Sequence, residues 1–260
     1  MQGVVAKKSL GQHFLIDKNI AGKIVESLFP DSCHSLIEIG PGTGILTQFL
    51  LKKDTPDFLA VELDRESYNY LLTRFPDHQD QFILGDFLQY PLEQHKAPLS
   101  LIGNLPYFIS SPVFFRVIEH RSMIHQAVFM IQKEVAERIT APPGNKTYGI
   151  LSVLLQAYFD IKYLFTVNAS CFSPPPKVKS AVIRLTRNSR EEMDCRPDLF
   201  QKIVKATFNQ RRKVIRNSLK GIFLNLPEDN ELLTKRPEQL TVEQFVELTK
   251  HIELLNPGKT

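Results

Sequence analysis

The chain has 260 residues, 43% of them hydrophobic, enough to bury a full core as one large domain with a smaller one beside it. Its 32 Lys and Arg against 28 Asp and Glu leave a net charge of +4, which permits an anionic partner without requiring one. Cys33, Cys171 and Cys195 form no CxxC pair, the seven histidines show no ligand spacing, and no run of about 18 apolar residues occurs. Neither a disulfide framework nor a zinc site is indicated, there is no segment for a membrane span, and with no apolar signal core in Met1 to Phe14 the expectation is a soluble, cytoplasmic protein.

Short apolar runs rich in β-branched residues alternate with helical periodicity, the pattern of a parallel sheet between helices. Leu36–Ile39, Phe58–Val61, Phe82–Leu84, Leu99–Ile102 and Ala127–Ile131 read as strands, each followed by a helix-like segment, giving five βα units. Ile161–Val167 and Val178–Leu185 follow across Ser173-Pro174-Pro175-Pro176 with no helix between them, so they are expected to close the sheet as an antiparallel pair. Beyond Arg187 only helical segments appear: Leu199–Asn209, Arg211–Leu219, and one beginning at Thr241, where Gln244 completes a capping box. The α/β reading therefore has two domains, 1–187 and a small all-helical 188–260.

The first strand runs into Gly40-Pro41-Gly42-Thr43-Gly44. Glycines there let backbone approach a ligand, but the G-x-G-x-G spacing, with Ile45 where a dinucleotide fold has glycine or alanine, disfavours nicotinamide and flavin cofactors; no Lys-Ser/Thr follows to make a P-loop. A bare strand-to-helix turn is the bland alternative. Glu62, 22 residues after Gly40, lies at the next strand end, where a ribose diol would meet both carboxylate oxygens. Asp86 ends the third strand beside Phe87; alone it reads as a helix cap, and with Glu62 and the glycines it completes a pocket for S-adenosylmethionine, with Asp86 accepting from the adenine amine and Phe87 packing beside the ring.

The fourth strand delivers Asn104-Leu105-Pro106-Tyr107. An exocyclic amine on adenine is a weak nucleophile because its lone pair is delocalised into the ring. The Asn104 amide oxygen and the Leu105 carbonyl, held extended by Pro106, supply two acceptors for its protons, and Tyr107 supplies a face for the base. No metal or covalent nucleophile is needed for transfer from a sulfonium. A proline turn with a buried tyrosine is the competing reading of these four residues in isolation. Between Leu199 and Pro227 stand Lys202, Lys205, Arg211, Arg212, Lys213, Arg216 and Lys220 with no acid among them; Arg212 and Arg216 are expected on one helix face, a candidate phosphate track against the alternative of a solvated face. The acid-free N-terminal segment carries Lys7 and Lys8.

From end to end the chain resembles the bacterial-type small-subunit ribosomal RNA adenine dimethyltransferases. The resemblance rests on Leu10-Gly11-Gln12-His13-Phe14-Leu15, Glu38 to Gly44, Gly103 to Tyr107, Gln132 to Val135, Phe172 to Val178 and Phe208-Asn209-Gln210-Arg211-Arg212-Lys213. It implies a Rossmann-like class I methyltransferase sheet, mostly parallel with an antiparallel last strand. It also implies a monomer that dimethylates two adjacent adenosines in a hairpin near the 3′ end of small-subunit rRNA, within a pre-ribosomal particle. His13 and Leu15 would close over S-adenosylmethionine, with Gly40, Gly42, Glu62, Asp86 and Asn104 completing its site; in this family asparagine also occurs where this chain has His13. Phe172 would face Tyr107 across a flipped base, while from chemistry alone it serves equally as an anchor for the proline loop. Arg211, Arg212, Lys213 and Arg216 would contact RNA. Two other readings stay open: the related large-subunit methyltransferases linked to macrolide resistance, which typically have isoleucine at the place of Leu105, and a non-enzymatic assembly factor that keeps the fold. A small-molecule methyltransferase gives no reason for the basic helices.

Overall fold

The computed structural model describes residues 4–28, 34–53, 57–190 and 192–257; Cys33 lies outside them. The chain forms two compact units, Met1–Ala136 with Asp160–Arg187, and Glu137–Phe159 with Asn188–Thr260.

In the first unit, β1 (Phe14–Leu15) precedes α1 (Lys18–Glu26), whose N-terminus is capped by Asp17 accepting from the Asn19 and Ile20 N–H groups at 2.9 and 3.1 Å. There follow β2 (Ser35–Ile39), α2 (Thr47–Leu50), β3 (Asp57–Glu62), α3 (Arg65–Arg74), β4 (Phe82–Leu84), β5 (Leu99–Asn104), α4 (Ser110–Glu119), β6 (Ile124–Gln132) and α5 (Lys133–Thr140), of which the residues from Glu137 on belong to the second unit. The strands after the next helix are β7 (Phe159–Val167), β8 (Phe172–Ser173) and β9 (Ser180–Arg187). The main sheet runs β4-β3-β2-β5-β6-β9-β7, with β2 parallel to β3 and β5, β5 parallel to β6, and β9 antiparallel to β6. Every residue of β2 is buried, as are the first five of β5. Since successive side chains point to opposite faces, both faces of these strands are covered, which is why they read as continuous apolar runs.

Two sequence expectations change. The connection from β4 to β5 carries only a 3₁₀ turn, Leu92–Gln94, so the third strand lacks its helix. The segment 137–159, expected in the first domain, groups with the second unit. Its helix α6 (Ile150–Gln156) buries Ser152, Val153, Leu154 and Leu155, and packs against α7 (Pro197–Asn209) and α9 (Val242–Leu255). A short helix so apolar on consecutive positions needs a partner on more than one side, and the helical unit supplies it.

That second unit also holds α8 (Ile215–Leu219), and its aromatic centre links Tyr148 to Phe208 and Phe208 to Phe245, with ring centroids 6.1 and 6.0 Å apart. The capping box of α9 forms as expected: Gln244 N–H donates to Thr241 Oγ1 at 3.2 Å, and Thr241 N–H to Gln244 Oε1 at 3.0 Å.

The first unit's sheet order places β2 between β3 and β5, so the chain winds one way from β2 and returns to wind the other. The crevice beyond the carboxyl ends of β2 and β5 is the switch point where open α/β sheets take ligands.

Candidate active site

A cavity opens at that switch point. Its wall is built from Gly11 to Leu15, Glu38, Gly40 to Thr43, Ile45, Leu46, Glu62, Asn104 to Tyr107, and Phe172. His13, Leu15, Gly40, Gly42, Glu62, Asn104, Leu105, Pro106, Tyr107 and Phe172, each expected from sequence at a site, are thus brought together from segments up to 159 positions apart.

The glycine turn is shaped for close approach. Gly42 has φ +57°, which favours glycine, and a Cβ there would stand 3.0 Å from the Phe14 ring. Its N–H donates to Glu62 Oε2 at 2.9 Å, while Asp64 N–H donates to Glu62 Oε1 at 2.8 Å. Each carboxylate oxygen therefore has one backbone donor and keeps lone-pair capacity for a second. Burial raises the Glu62 carboxyl above its ordinary range, against the lowering effect of those N–H groups.

Asn104, at the end of β5, donates its side-chain Nδ2–H to the His13 carbonyl at 3.1 Å, which turns Oδ1 into the free end of the amide. Leu105 N–H continues the ladder to Met130 O at 3.0 Å. The Pro106 carbonyl accepts from Ile109 N–H at 3.1 Å and the Tyr107 carbonyl from the Ser110 hydroxyl at 2.8 Å; among the described residues nothing donates to the Leu105 carbonyl. The loop thus presents two acceptors, Asn104 Oδ1 and Leu105 O. Tyr107 is fastened by its hydroxyl to Ser180 Oγ, 2.9 Å away at the buried start of β9, and burial raises its pKa.

A cover lies over this site. β1 pairs with β8 in antiparallel register, Phe14 opposite Ser173 and Leu15 opposite Phe172. His13 Nδ1 meets the Pro174 carbonyl at 2.8 Å, and its ring centroid is 5.8 Å from that of Tyr107. Phe172, only 3% exposed, belongs both to the hydrophobic core and to the cavity wall, so the anchoring and facing roles weighed for it are compatible. Lys7 secures the cover from outside, its ammonium 2.5 Å from Asp64 and 3.2 Å from Glu66.

Asp86 is not in the wall. It sits in the turn after β4, where Oδ1 accepts from Leu88 N–H at 2.9 Å, and Phe87 is buried with the Arg116 guanidinium 5.9 Å from its ring centre. Arg116 also donates to the Leu88 carbonyl at 2.8 Å and to the Tyr90 carbonyl.

Of the ionisable side chains in the wall, Glu38 had no role assigned from sequence. Glu38 is 1% exposed, its Oε2 accepts from the Thr47 hydroxyl at 2.7 Å, and burial pushes its carboxyl up to about 8. The available signal was a single acid inside the otherwise apolar strand Ser35-Leu36-Ile37-Glu38-Ile39.

In the second unit the basic run is less uniform than its sequence. Residues 211–213 form a turn and α8 begins only at Ile215, so Arg212 and Arg216 do not share a helix face. Nor are all seven cations unopposed: Arg211 Nε lies 3.6 Å from Glu238, and Lys202 Nζ lies 5.5 Å from the Phe223 ring centre. Arg216 donates to the Glu228 carbonyl at 2.7 Å, whereas Arg212, Lys213 and Lys220 are exposed.

Residues 3–253 match the family described as Ribosomal RNA adenine dimethylase. The chain is 52% identical to Ribosomal RNA small subunit methyltransferase A of Bacteroides fragilis, covering 97% of this chain and 94% of that protein. It is 51% identical to the protein of the same name from Porphyromonas gingivalis, covering 96% and 98%. Among solved structures, a dimethyladenosine transferase from Plasmodium falciparum superimposes with a TM-score of 0.76 at 24% identity over 91% of this chain and 96% of that one. The 23S rRNA methyltransferase ErmE gives 0.67 at 25% identity over 91% and 99%.

Proposed function

The chain belongs to the ribosomal RNA adenine dimethylase family, and on that premise we propose that it methylates the exocyclic amine of two adjacent adenosines in a hairpin near the 3′ end of small-subunit rRNA. The observation that carries this reading is the pair of acceptors, Asn104 Oδ1 and Leu105 O, set in one wall with the buried carboxylate of Glu62.

The cavity fits S-adenosylmethionine in its donor set. Glu62, oriented by two backbone N–H groups, offers its remaining lone pairs to the ribose hydroxyls, and the bare backbone at Gly40 and Gly42 leaves room for close approach. Asp86, in the turn at the neighbouring strand end and outside the cavity wall, would reach the adenine amine only beyond that wall, and His13 and Leu15 cover the ligand. When bound, this donor supplies a methyl group already activated by a positively charged sulfonium leaving group.

The protein's part is orientation. Asn104 Oδ1 and Leu105 O each accept one N–H of the target amine, drawing its lone pair out of conjugation with the ring. Tyr107, fixed by Ser180, stacks on one face of the flipped base and Phe172 bounds the other, recovering part of the unstacking cost. Arg211, Arg212, Lys213 and Arg216 of the second unit hold RNA phosphates, with the exposed Arg212 and Lys213 foremost. The protein works as a cytoplasmic monomer on a pre-ribosomal particle.

The test is labelled S-adenosylmethionine with under-methylated small subunits, followed by nucleoside analysis. Dimethyladenosine is expected with the wild type and not with Asn104→Ala. Its absence with the wild type, or its appearance in large-subunit RNA instead, rejects the assignment.

A further inference from the structure

Next to the catalytic tyrosine stands an aromatic ring that the reaction does not use. Phe108 is 59% exposed although it lies within the 3₁₀ turn Tyr107–Ile109, whose neighbours Leu105 and Ser110 are buried. The ring is positioned rather than loose. Its turn is held by Ile109 N–H to Pro106 O, Ser110 Oγ to Tyr107 O, and the Tyr107 hydroxyl to Ser180. On one side it lies against Gly11, where a Cβ would come 3.0 Å from Cδ1 and 3.3 Å from Cε1, and Gly11 itself has φ +57°. Glycine at that position therefore allows the ring to rest on backbone at the rim of the cavity, since Gly11 is part of the wall.

We infer that Phe108 is a stacking platform for the unpaired RNA base covalently adjacent to the adenosine held at Tyr107. This rests on the function proposed above. A polynucleotide that places one base in the cavity must leave its neighbour within a backbone step of the rim, unstacked from the flipped base. An aromatic face offers that neighbour a partner whatever its identity, because every base has a π-face. Consecutive Tyr107 and Phe108 then receive consecutive bases, one inside and one outside the cavity.

The test uses the full chain and a hairpin RNA carrying 2-aminopurine next to the target adenosine. Binding to the wild type is expected to quench its emission; Phe108→Ala should abolish the quenching and raise the KM for RNA about 5- to 150-fold, and Phe108→Trp should retain both properties. The KM for S-adenosylmethionine should stay unchanged throughout. Equal quenching and equal RNA KM in the alanine variant overturn the inference, as does a shift in the S-adenosylmethionine KM alone, which would make Phe108 part of the cofactor cover. Quenching needs no turnover, so failure to form dimethyladenosine strikes the parent reading while the fluorescence still decides the role of Phe108.

Discussion

The Asn104 side chain donates to the backbone carbonyl of His13, 91 positions away, so this amide is oriented by a segment of the cavity wall that lies far off in sequence. The contact uses the main chain, which any residue at position 13 provides, so it does not depend on the imidazole. Asn104→Ala removes an acceptor for the target amine and is expected to lower kcat by about 10²- to 10³-fold, the loss typical of one preorganised polar group at a reacting centre. His13→Ala keeps the carbonyl and should cost far less in kcat. Steady-state kinetics on both variants decides this, and equal losses would mean that the imidazole, not the carbonyl, matters.

Lys7 reaches both Asp64 and Glu66, and Asp64 in turn donates its N–H to Glu62. The hydrogen bond that the Lys7 ammonium donates to the Asp64 carboxylate is the largest cause of the raised Lys7 pKa. Read as a phosphate contact, Lys7 would affect RNA binding; read from these contacts, it holds down the cofactor cover. Lys7→Ala should raise the KM for S-adenosylmethionine several-fold, with the difference from wild type shrinking at high salt as the exposed ion pairs are screened. A change confined to the KM for RNA would return Lys7 to the phosphate track.

Much of this arrangement was legible in the sequence because strand ends carry it. Gly40, Glu62 and Asn104 follow apolar runs whose parallel pairing brings their ends to one edge, so position along the chain predicted position in space. What was not legible depends on contacts between distant segments. The β1 and β8 pairing, the Asn104 bond to His13 and the Tyr107 bond to Ser180 join residues 73 to 159 positions apart with no local pattern to announce them. The helix expected after β4 failed for the opposite reason: in 85–98 local propensity is overridden, with the Leu88 and Tyr90 carbonyls accepting from Arg116 and only a 3₁₀ turn, Leu92–Gln94, following them.

Glu38 makes stability depend on pH. Its carboxyl ordinarily titrates near 4.5 and burial pushes it up to about 8 in the folded chain. Between these values the folded state keeps a proton that the unfolded state has released, so stability from this group is fully present below pH 4.5 and is lost as pH rises through 8. Glu38→Gln mimics the neutral acid. Urea midpoints without cofactor at pH 5.5, 7 and 8.5 should therefore fall less steeply for Glu38→Gln than for wild type, with a residual slope left by the similarly raised Glu62. Parallel profiles would show that Glu38 is ionised in the fold.

Arg211 and Arg212 are neighbours with different surroundings, and their substitution should separate folding from RNA binding. Arg211 Nε lies 3.6 Å from Glu238 and Nη2 donates to the Asn145 carbonyl at 3.3 Å, whereas Arg212 is exposed. Arg211→Glu sets a like charge beside Glu238 and is expected to lower the Tm as well as weaken RNA binding. Arg212→Ala should leave the Tm unchanged, weaken binding roughly equally across RNA sequences, and reduce the slope of log K against log salt by about 1, the signature of one lost phosphate contact. Titration of hairpin RNA at several salt concentrations, with a thermal melt of each variant, measures both. An Arg212→Ala protein with the wild-type slope would place the phosphate track elsewhere on the second unit.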